Sequence, residues 1–381
     1  MDFRLNEDQE SMVKFVKSFA EKELLPKYSY WDKHEEFPKE QFDKMANLGL
    51  TGLRISEKYG GQEADCLMAG LVAEQIARGD FSCGYAILLS CLLGDIIERF
   101  ATDAVKKVWL PNMVKGQVVC LALTEPQCGS DASAIKCKAE KRGDTYYLTG
   151  EKSSISMVMA GDAAVVFAKT DPSAGARGIS AFLVPLDDSI ERTAYEDMGE
   201  KAIVRGSIFL DNHPVPAENL IGNEGGGFIQ VMQAFDYSRV IIALMCVGAA
   251  QISLEETIEY TKTRETFGKP LAKNQAIAFT LAEYMAKMDL IRWYCYQALW
   301  RRDVGLPHTK EAAITKWLGP ETAARALHEC LLIHGHYGYT KEYPIEQRLR
   351  DIIGLEIGDG TANVQKFILC REYIGREFRP Y

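Results

Sequence analysis

The stretch Ile357-Gly358-Asp359-Gly360-Thr361-Ala362-Asn363-Val364-Gln365 places one acid between two glycines, just before an apolar pattern that predicts a helix reaching Tyr373. Glycines on both sides allow the backbone to bend and to approach a ligand closely. The first amides of the next helix are free to meet an anion or a carbonyl oxygen. Asp359 is therefore a candidate base beside a bound carbonyl compound, although Asp and Gly are also the ordinary residues of surface turns.

Outward from this stretch the chain divides into three regions. Residues 1–117 have helical spacing, and Asn6 is predicted to cap the first helix with Gln9 reaching back. Residues 118–224 contain short β-rich segments separated by Gly, Pro, Asp and Ser, which is typical of a small sandwich or barrel. Residues 225–381 contain long helical patterns with short connections, which indicate a four-helix bundle. The predicted fold is mainly α with a central β domain.

The composition limits the classes of partner. A net charge of −9 argues against nucleic acid as the main partner. The longest apolar run, Val240 to Ala250, is well short of the roughly 20 residues that span a membrane. The acidic N-terminus resembles no targeting segment. Ten cysteines without metal-ligand spacing predict buried, reduced thiols, a reducing compartment such as a bacterial cytoplasm, and no metal site.

Three further stretches accompany the acid between glycines. They are Leu123-Thr124-Glu125-Pro126-Gln127-Cys128-Gly129-Ser130-Asp131, then Arg264-Glu265-Thr266-Phe267-Gly268-Lys269-Pro270-Leu271 followed by Asn274-Gln275-Ala276, and Glu342-Tyr343-Pro344-Ile345-Glu346 with Arg350-Asp351. In this order and at these spacings the chain resembles the acyl-CoA dehydrogenases over essentially its whole length. The resemblance implies a three-domain fold, FAD as cofactor, oxidation of the carbon–carbon bond beside a CoA thioester, an electron-transferring flavoprotein as partner, and a homo-oligomer, expected to be a tetramer.

The resemblance also implies two sets of site residues. Of the cofactor contacts, those in the Arg264 stretch would reach the FAD of a neighbouring subunit. The implied cofactor residues are Leu123, Thr124, Gly129, Ser130, Ser154, Ser156, Arg264, Thr266, Phe267, Gln275, Thr361 and Asn363. The implied substrate residues are Cys91, Ser130, Phe235, Asp236, Arg239 and Gly360.

Two acids compete as the base that would remove the proton next to the thioester. Asp359 stands where many relatives carry Glu and is shorter by one C–C bond, about 1.5 Å; its alternative role is to cap the following helix. Asp95 shares a predicted helix face with Leu88 and Cys91, where burial would raise its pKa. Its alternative role is an ion pair with Arg99 at i+4. Glu256 and Glu259 lie in a predicted helix with solvated neighbours and are weaker candidates.

One position departs from the family pattern in a way that bears on the substrate. Ser154 stands where relatives usually have Trp or Phe, so the pocket should be wider unless Tyr337 or Tyr339 fills it. His334 and His336 lack a metal-like partner and are predicted to be loop or interface residues.

These departures favour an alicyclic substrate such as cyclohexanecarboxyl-CoA. Two alternatives stay open: 1,4-dehydrogenation of cyclohex-1-ene-1-carboxyl-CoA with Asp95 as base, and a short or branched acyl-CoA. An oxidase that uses O₂ and a non-catalytic flavin- or CoA-binding relative are also compatible with the sequence.

Overall fold

The computed structural model describes residues 4–378, and the N-terminal part of that range is helical. Asn6 caps the first helix as predicted: its Oδ1 accepts a hydrogen bond from the Gln9 amide at 2.8 Å, and the Gln9 side chain accepts one from the Asn6 amide at 3.1 Å. The helices of this region are α1 (Glu7–Phe19), α2 (Tyr28–His34), α3 (Lys39–Asn47), α4 (Cys66–Gly79), α5 (Gly84–Phe100) and α6 (Asp103–Val114).

The middle region is a mixed β-sheet. Its strands are β1 (Val119–Ala122), β2 (Lys138–Arg142), β3 (Thr145–Ile155), β4 (Ala163–Lys169), β5 (Ile179–Pro185), β6 (Glu191–Ala194), β7 (Gly206–Pro216) and β8 (Leu220–Ile221). The order in the sheet is β6-β7-β3-β2-β4-β5-β8, and β1 pairs in parallel with β4. Because β4 and β5 are buried along almost their whole length, this part of the sheet has helices or loops on both faces.

The C-terminal region returns to helices. They are α7 (Gly227–Thr263), α8 (Gln275–Asp303), α9 (Thr309–His334), α10 (Ile345–Ile357) and α11 (Ala362–Tyr373), with a small hairpin of β9 (Glu265–Thr266) and β10 (Lys269–Pro270) between α7 and α8. Helix α7 packs against α4, α5, α8 and α9. By length and composition α7 is apolar enough to cross a membrane, but its most apolar part is wholly buried inside the protein.

One hydrophobic core runs through all three regions, so their junction is rigidly packed. Nine of the ten cysteines are buried in or beside that core as free thiols, and Cys370 is half-buried. The architecture is therefore the predicted one: helices, then a β domain, then a second set of helices.

Candidate active site

A cavity of about 410 Å³ lies where the three regions meet. Its walls come from α5, the loop after β1, the end of β3, the first half of α7 and the loop between α10 and α11. Of the residues predicted for the site, the cavity is lined by Leu123, Thr124, Gly129, Ser130, Ser154, Ser156, Phe235, Arg239, Asp359, Gly360 and Thr361. Stretches more than two hundred residues apart in the chain thus share one space.

The backbone of the Asp359 loop is held in an unusual conformation. Asp359 and Gly360 both have positive φ, at 51° and 96°, a region that Gly adopts freely and that Asp tolerates better than most residues. The Asp359 carbonyl accepts a hydrogen bond from Arg239 Nε at 3.2 Å. The Gly360 carbonyl accepts bonds from Gln365 Nε2 at 2.9 Å and from Lys316 Nζ at 3.3 Å. These bonds fix the direction in which the Asp359 side chain leaves the loop.

In the described part of the chain, residues 4–378, the Asp359 carboxylate has a single hydrogen-bond donor, the Ser238 hydroxyl, at 2.5 Å from Oδ2. It does not cap α11, because Thr361 occupies the N-cap position and makes no side-chain cap bond. Within residues 4–378 the Asp359 amide donates no hydrogen bond. The loop at the cavity wall thus carries a carboxylate and an amide that is free to donate.

Lys316 was not predicted and lies directly behind this loop. Its side chain is buried, and Nζ donates to the Leu355 carbonyl at 2.7 Å as well as to Gly360. Burial lowers the pKa of Lys316 to about 8, although the nearby Asp359 acts in the opposite direction. A lysine inside an apolar helical pattern gave no signal for this role, because its partners are main-chain carbonyls about forty positions later in the chain.

A buried ion pair holds the loop after β1, and this pair was also not predicted. Lys152 Nζ on β3 lies 2.7 Å from Glu125 Oε1 and donates to the Leu123 carbonyl at 3.0 Å. The Glu125 carboxylate also accepts the amides of Lys136 at 2.6 Å and Cys137 at 2.9 Å. Burial alone would raise the pKa of Glu125, but Lys152 and the two amides lower it below its ordinary value. The pair positions the stretch that carries Leu123 and Thr124.

A third unpredicted group is polar. Glu200 and Arg205, from the segment between β6 and β7, line the cavity beside Tyr85 of α5. The Tyr85 hydroxyl donates to Glu200 Oε1 at 2.7 Å. Burial raises the pKa of Glu200 to about 7, opposed by the Tyr85 hydrogen bond and by Arg205.

The structure corrects the placement of Asp95. Its carboxylate lies 2.9 Å from Arg302 and 3.2 Å from Arg99, so the alternative ion pair with Arg99 is present. Asp95 lines a separate, wider depression of about 820 Å³ rather than the cavity that contains Asp359. Leu88 and Leu92 of the predicted helix face line the cavity, whereas Cys91 and Asp95 of the same face do not.

Two predicted substrate residues are likewise outside the cavity. Asp236 lines the same depression as Asp95, and its carboxylate is held by Arg239 at 3.2 Å and by the Thr309 hydroxyl at 2.6 Å. Cys91 is buried on the inner side of α5 and does not line the cavity; burial raises its pKa to about 11.

No aromatic residue from the predicted pair replaces the missing ring at Ser154. Tyr339 is 87% exposed, and neither it nor Tyr337 lines the cavity. The backbone amide of Ser154 instead donates to the Tyr195 hydroxyl at 3.4 Å. His334 is buried, donates from Nδ1 to the Cys330 carbonyl at 2.8 Å and stacks on Tyr260. Within residues 4–378 no group of His, Cys, Asp and Glu could hold a metal ion.

The other acids on α7 are engaged elsewhere. Glu256 pairs with Arg348 at 2.6 Å, and the exposed Glu259 pairs with Lys262 at 2.6 Å. Neither lines the cavity.

The remaining predicted cofactor residues also lie outside the cavity. Arg264 is exposed at the start of the β9–β10 hairpin, Phe267 at its tip is 98% exposed, and Gln275 is exposed as the first residue of α8. Thr266 belongs to the same hairpin, and Asn363 is exposed in the first turn of α11. A role of the hairpin toward a neighbouring subunit stays a prediction.

Comparison with known proteins agrees with this geometry. Three family models match consecutive parts of the chain: acyl-CoA dehydrogenase N-terminal domain at residues 6–117, middle domain at 120–213 and C-terminal domain at 225–374. The chain belongs to the acyl-CoA dehydrogenase family. It is therefore a flavin-dependent oxidoreductase that acts on acyl-CoA thioesters.

Similar proteins cover nearly the full length of this acyl-CoA dehydrogenase. The short-chain specific acyl-CoA dehydrogenase of Megasphaera elsdenii is 37% identical over 97% of this chain and 98% of its own. The 3-(aryl)acrylate reductase of Clostridium sporogenes is 36% identical over 96% of this chain and 98% of its own. The solved structure of butyryl-CoA dehydrogenase from Megasphaera elsdenii superposes with a TM-score of 0.95 at 34% identity, over 98% of this chain and all of that one.

The cavity fits the family's cofactor, FAD. The hydroxyls of Thr124, Ser156 and Thr361 line it and can bond to polar edges of a flavin. A side chain added at Gly129 would meet no atom within 4 Å, so the loop there is open for a close approach. The uncapped N-terminus of α11 adds free amides that favour oxygen or phosphate.

Proposed function

We propose that this acyl-CoA dehydrogenase uses Asp359 as the base that removes the proton alpha to the thioester. The observation that supports this most directly is the setting of Asp359: it lines the cavity, its backbone is held by Arg239, and its carboxylate has a hydroxyl rather than a cation as partner. Since the carboxylate forms no ion pair with any residue from 4 to 378, its oxygens are open to a bound substrate.

In this proposal the thioester oxygen binds the free Asp359 amide, which stabilises the negative charge that develops on that oxygen. The alpha proton passes to the Asp359 carboxylate, and Ser238 and the loop bonds orient that carboxylate. Leu88, Leu89 and Leu92 line the same space and keep water away from the acyl chain. FAD, when bound, supplies the chemistry that accepts the hydride from the beta carbon.

We propose an alicyclic acyl group, with cyclohexanecarboxyl-CoA as the leading substrate. Ser154 is a small side chain at the cavity wall, and no aromatic residue of the predicted pair takes its place. The name of the Clostridium sporogenes relative indicates that a member of this family accommodates a ring. A shorter base also suits a substrate whose alpha carbon sits closer to the loop. The 1,4-dehydrogenation alternative has no support in the position of Asp95, which lies outside the cavity.

A short-chain acyl-CoA is the second candidate. The Megasphaera elsdenii relative and the solved butyryl-CoA dehydrogenase favour it by their names and their full-length similarity. The cavity volume accommodates either group, because ligand pockets of roughly 300–1,000 Å³ hold molecules of this size.

Anaerobic bleaching of the flavin absorbance tests this proposal. The purified protein with FAD is mixed with cyclohexanecarboxyl-CoA, cyclohex-1-ene-1-carboxyl-CoA, isobutyryl-CoA or butyryl-CoA. We expect the fastest bleaching with cyclohexanecarboxyl-CoA. Bleaching by the linear and branched thioesters alone would overturn the alicyclic substrate, and no bleaching by any thioester would overturn the proposed activity.

We propose an electron-transferring flavoprotein as acceptor, a homotetramer as the assembly, and a bacterial cytoplasm, reducing and without oxygen, as the setting. The exposed Phe267 hairpin supports an assembly in which Arg264 and Gln275 reach a neighbouring subunit. Light scattering gives the mass, and a dimer or monomer would contradict the tetramer.

Reoxidation of the reduced enzyme by the electron-transferring flavoprotein, without peroxide under air, supports that flavoprotein as the acceptor. Stoichiometric peroxide would instead identify an oxidase.

A further inference from the structure

We infer that Glu200 and Tyr85 form a subsite for a hydroxyl group on the acyl portion of the substrate, so that hydroxylated acyl-CoA thioesters are the preferred class. The inference rests on the proposed function, because it concerns the same cavity. It assigns a specificity role to a pair that the thioester chemistry does not use.

Glu200 and Tyr85 both lie at the wall of the cavity. Glu200 is 2% exposed yet lines the cavity, as does Tyr85. Its Oε1 accepts the Tyr85 hydroxyl at 2.7 Å, and within residues 4–378 its Oε2 has no hydrogen-bond partner. Oε2 lies next to Gly354, where an added Cβ would come within 2.5 Å of it. A residue larger than Gly at position 354 would therefore displace the carboxyl group.

Groups on its own segment, on α10 and on α5 face Glu200. Arg205 lies in the same segment and its charge acts on Glu200, but it is engaged by Asp197 through bonds of 2.9 Å and 2.7 Å. Lys201 of this segment pairs with Glu35. On α10 the facing group is Asp351, an acid that accepts the Glu200 amide at 2.6 Å. On α5 the facing group is the Tyr85 hydroxyl. Among the residues from 4 to 378, no cation forms an ion pair with Glu200.

The carboxyl group of Glu200 suits a hydroxyl as its hydrogen-bond partner. Because burial raises the pKa of Glu200 to about 7, both the neutral and the ionised forms are present near neutral pH. A hydroxyl can donate to the ionised form and accept from the neutral one. An apolar acyl group would leave Oε2 buried without a partner, and a carboxylate would be repelled by the ionised form.

The positions of Tyr85 on α5 and Gly354 on α10 indicate how an acyl group at Asp359 would reach the pair. Tyr85 precedes Leu88, Leu89 and Leu92 by three, four and seven positions, so all four face the cavity from one side of α5. Gly354 lies one turn before Ile357, the last residue of α10, roughly 5 Å along the axis. The charge of Asp359 contributes to the raised pKa of Tyr85, after burial and Glu200. A thioester at Asp359 therefore projects its acyl group along an apolar wall toward a polar end.

Matched substrate pairs test the inference. Butyryl-CoA is compared with 4-hydroxybutyryl-CoA, and cyclohexanecarboxyl-CoA with its 4-hydroxy derivative, by kcat/KM and by calorimetric Kd. The variants are E200L, E200Q and Y85F, with E196Q in the same segment as the control. We expect wild type and E196Q to prefer at least one hydroxylated partner by about tenfold. E200L should abolish the preference, and E200Q and Y85F should reduce it.

Equal affinity of wild type for both members of each pair would overturn the inference, as would an unchanged preference in E200L. If E200L does not fold, the same comparison in E200Q and Y85F decides, because both are nearly isosteric. Flavin bleaching by the plain thioesters without a hydroxyl preference would leave the proposed function standing and remove only this subsite. Hydroxyl-dependent binding without any bleaching would leave the subsite standing and remove the proposed function.

Discussion

Asp359 and Asp95 each follow a glycine beside apolar residues, but they lie in opposite settings. Asp359 lies in a cavity at the junction of three regions, with one hydroxyl donor and a backbone held in a left-handed conformation. Asp95 lies in a wider depression with Arg99 and Arg302 on its carboxylate. An acid with two arginines is committed to holding helices together, whereas an acid with one hydroxyl remains available to a ligand.

The comparison shows that volume alone does not identify a site. The depression at Asp95 is about twice as large as the cavity at Asp359, at 820 Å³ against 410 Å³. Its acids and arginines pair with one another, as the mostly buried Asp95 and Arg302 do, and such pairs hold elements of the fold together. The smaller cavity combines apolar walls with a few convergent polar groups, which is the usual composition of a ligand site.

The largest expected effect separates the two acids directly. Asp359→Asn should slow flavin reduction by an acyl-CoA substrate by about 10³-fold, since general-base catalysis contributes roughly 10² to 10⁴. Asp95→Asn should change the rate by less than about threefold and lower the melting temperature instead, because Arg302 loses its partner. Stopped-flow absorbance measures both rates. A retained rate in the Asp359 variant, with full FAD content, would contradict the assignment.

The second effect is on the pH dependence of stability. It concerns Glu200, a cavity acid that, unlike Asp95, has no arginine bound to its carboxylate. Because the folded-state pKa of Glu200 is raised from 4.5 to about 7, its stabilising contribution is complete below pH 4.5 and is lost as pH rises through 7. The loss is of the order of 3 kcal/mol at about 1.4 kcal/mol per pKa unit. Urea unfolding of wild type and E200Q between pH 5 and 8 checks this.

E200Q should lose less stability than wild type over that range, while the control E196Q should follow wild type. Buried acids that are not coupled to Glu200, such as Asp80 with its raised pKa, are common to all three proteins and cancel in the comparison. Asp351 is different, because the charge of Glu200 helps to raise its pKa and E200Q removes that contribution. Parallel curves for E200Q and wild type would mean that Glu200 is ionised equally in the folded and unfolded states.

The smallest effect compares the hydroxyl donors of the two regions. Ser238 donates to Asp359 at 2.5 Å, and Thr309 donates to Asp236 at 2.6 Å. Ser238→Ala should slow flavin reduction by about tenfold, because a hydrogen bond to a charged group is worth roughly 1.5–3 kcal/mol. Thr309→Val should leave the rate unchanged. Equal rates in both variants would show that Ser238 does not orient the base.

Much of the fold and part of the site could be predicted because their signals are local. The capping box at Asn6, the β-rich segments at Ala163 and Ile179, and the helical spacing after Gly227 depend on neighbours a few positions away. The motif stretches likewise identified Thr124, Ser130 and Thr361, which line the cavity, because residues that are close in a motif stay close in the fold.

The groups that the sequence missed are defined by partners far along the chain. Lys316 binds carbonyls at Leu355 and Gly360, and Glu200 pairs with Tyr85 across more than a hundred residues. The sequence left Asp95 open between a cavity acid and an ion pair for a related reason: helical periodicity indicates which residues share a side of a helix, but not which of them line a cavity.

The sequence by itself determined the family, the order of helical and β regions, and the acid between glycines at Asp359, because these follow from local patterns and spacing. Only the tertiary structure decided which acid faces the cavity, which is tied up by arginines, and that Glu200 forms a polar end. Packing brings charges together across long separations, and desolvation then decides what each of them can do.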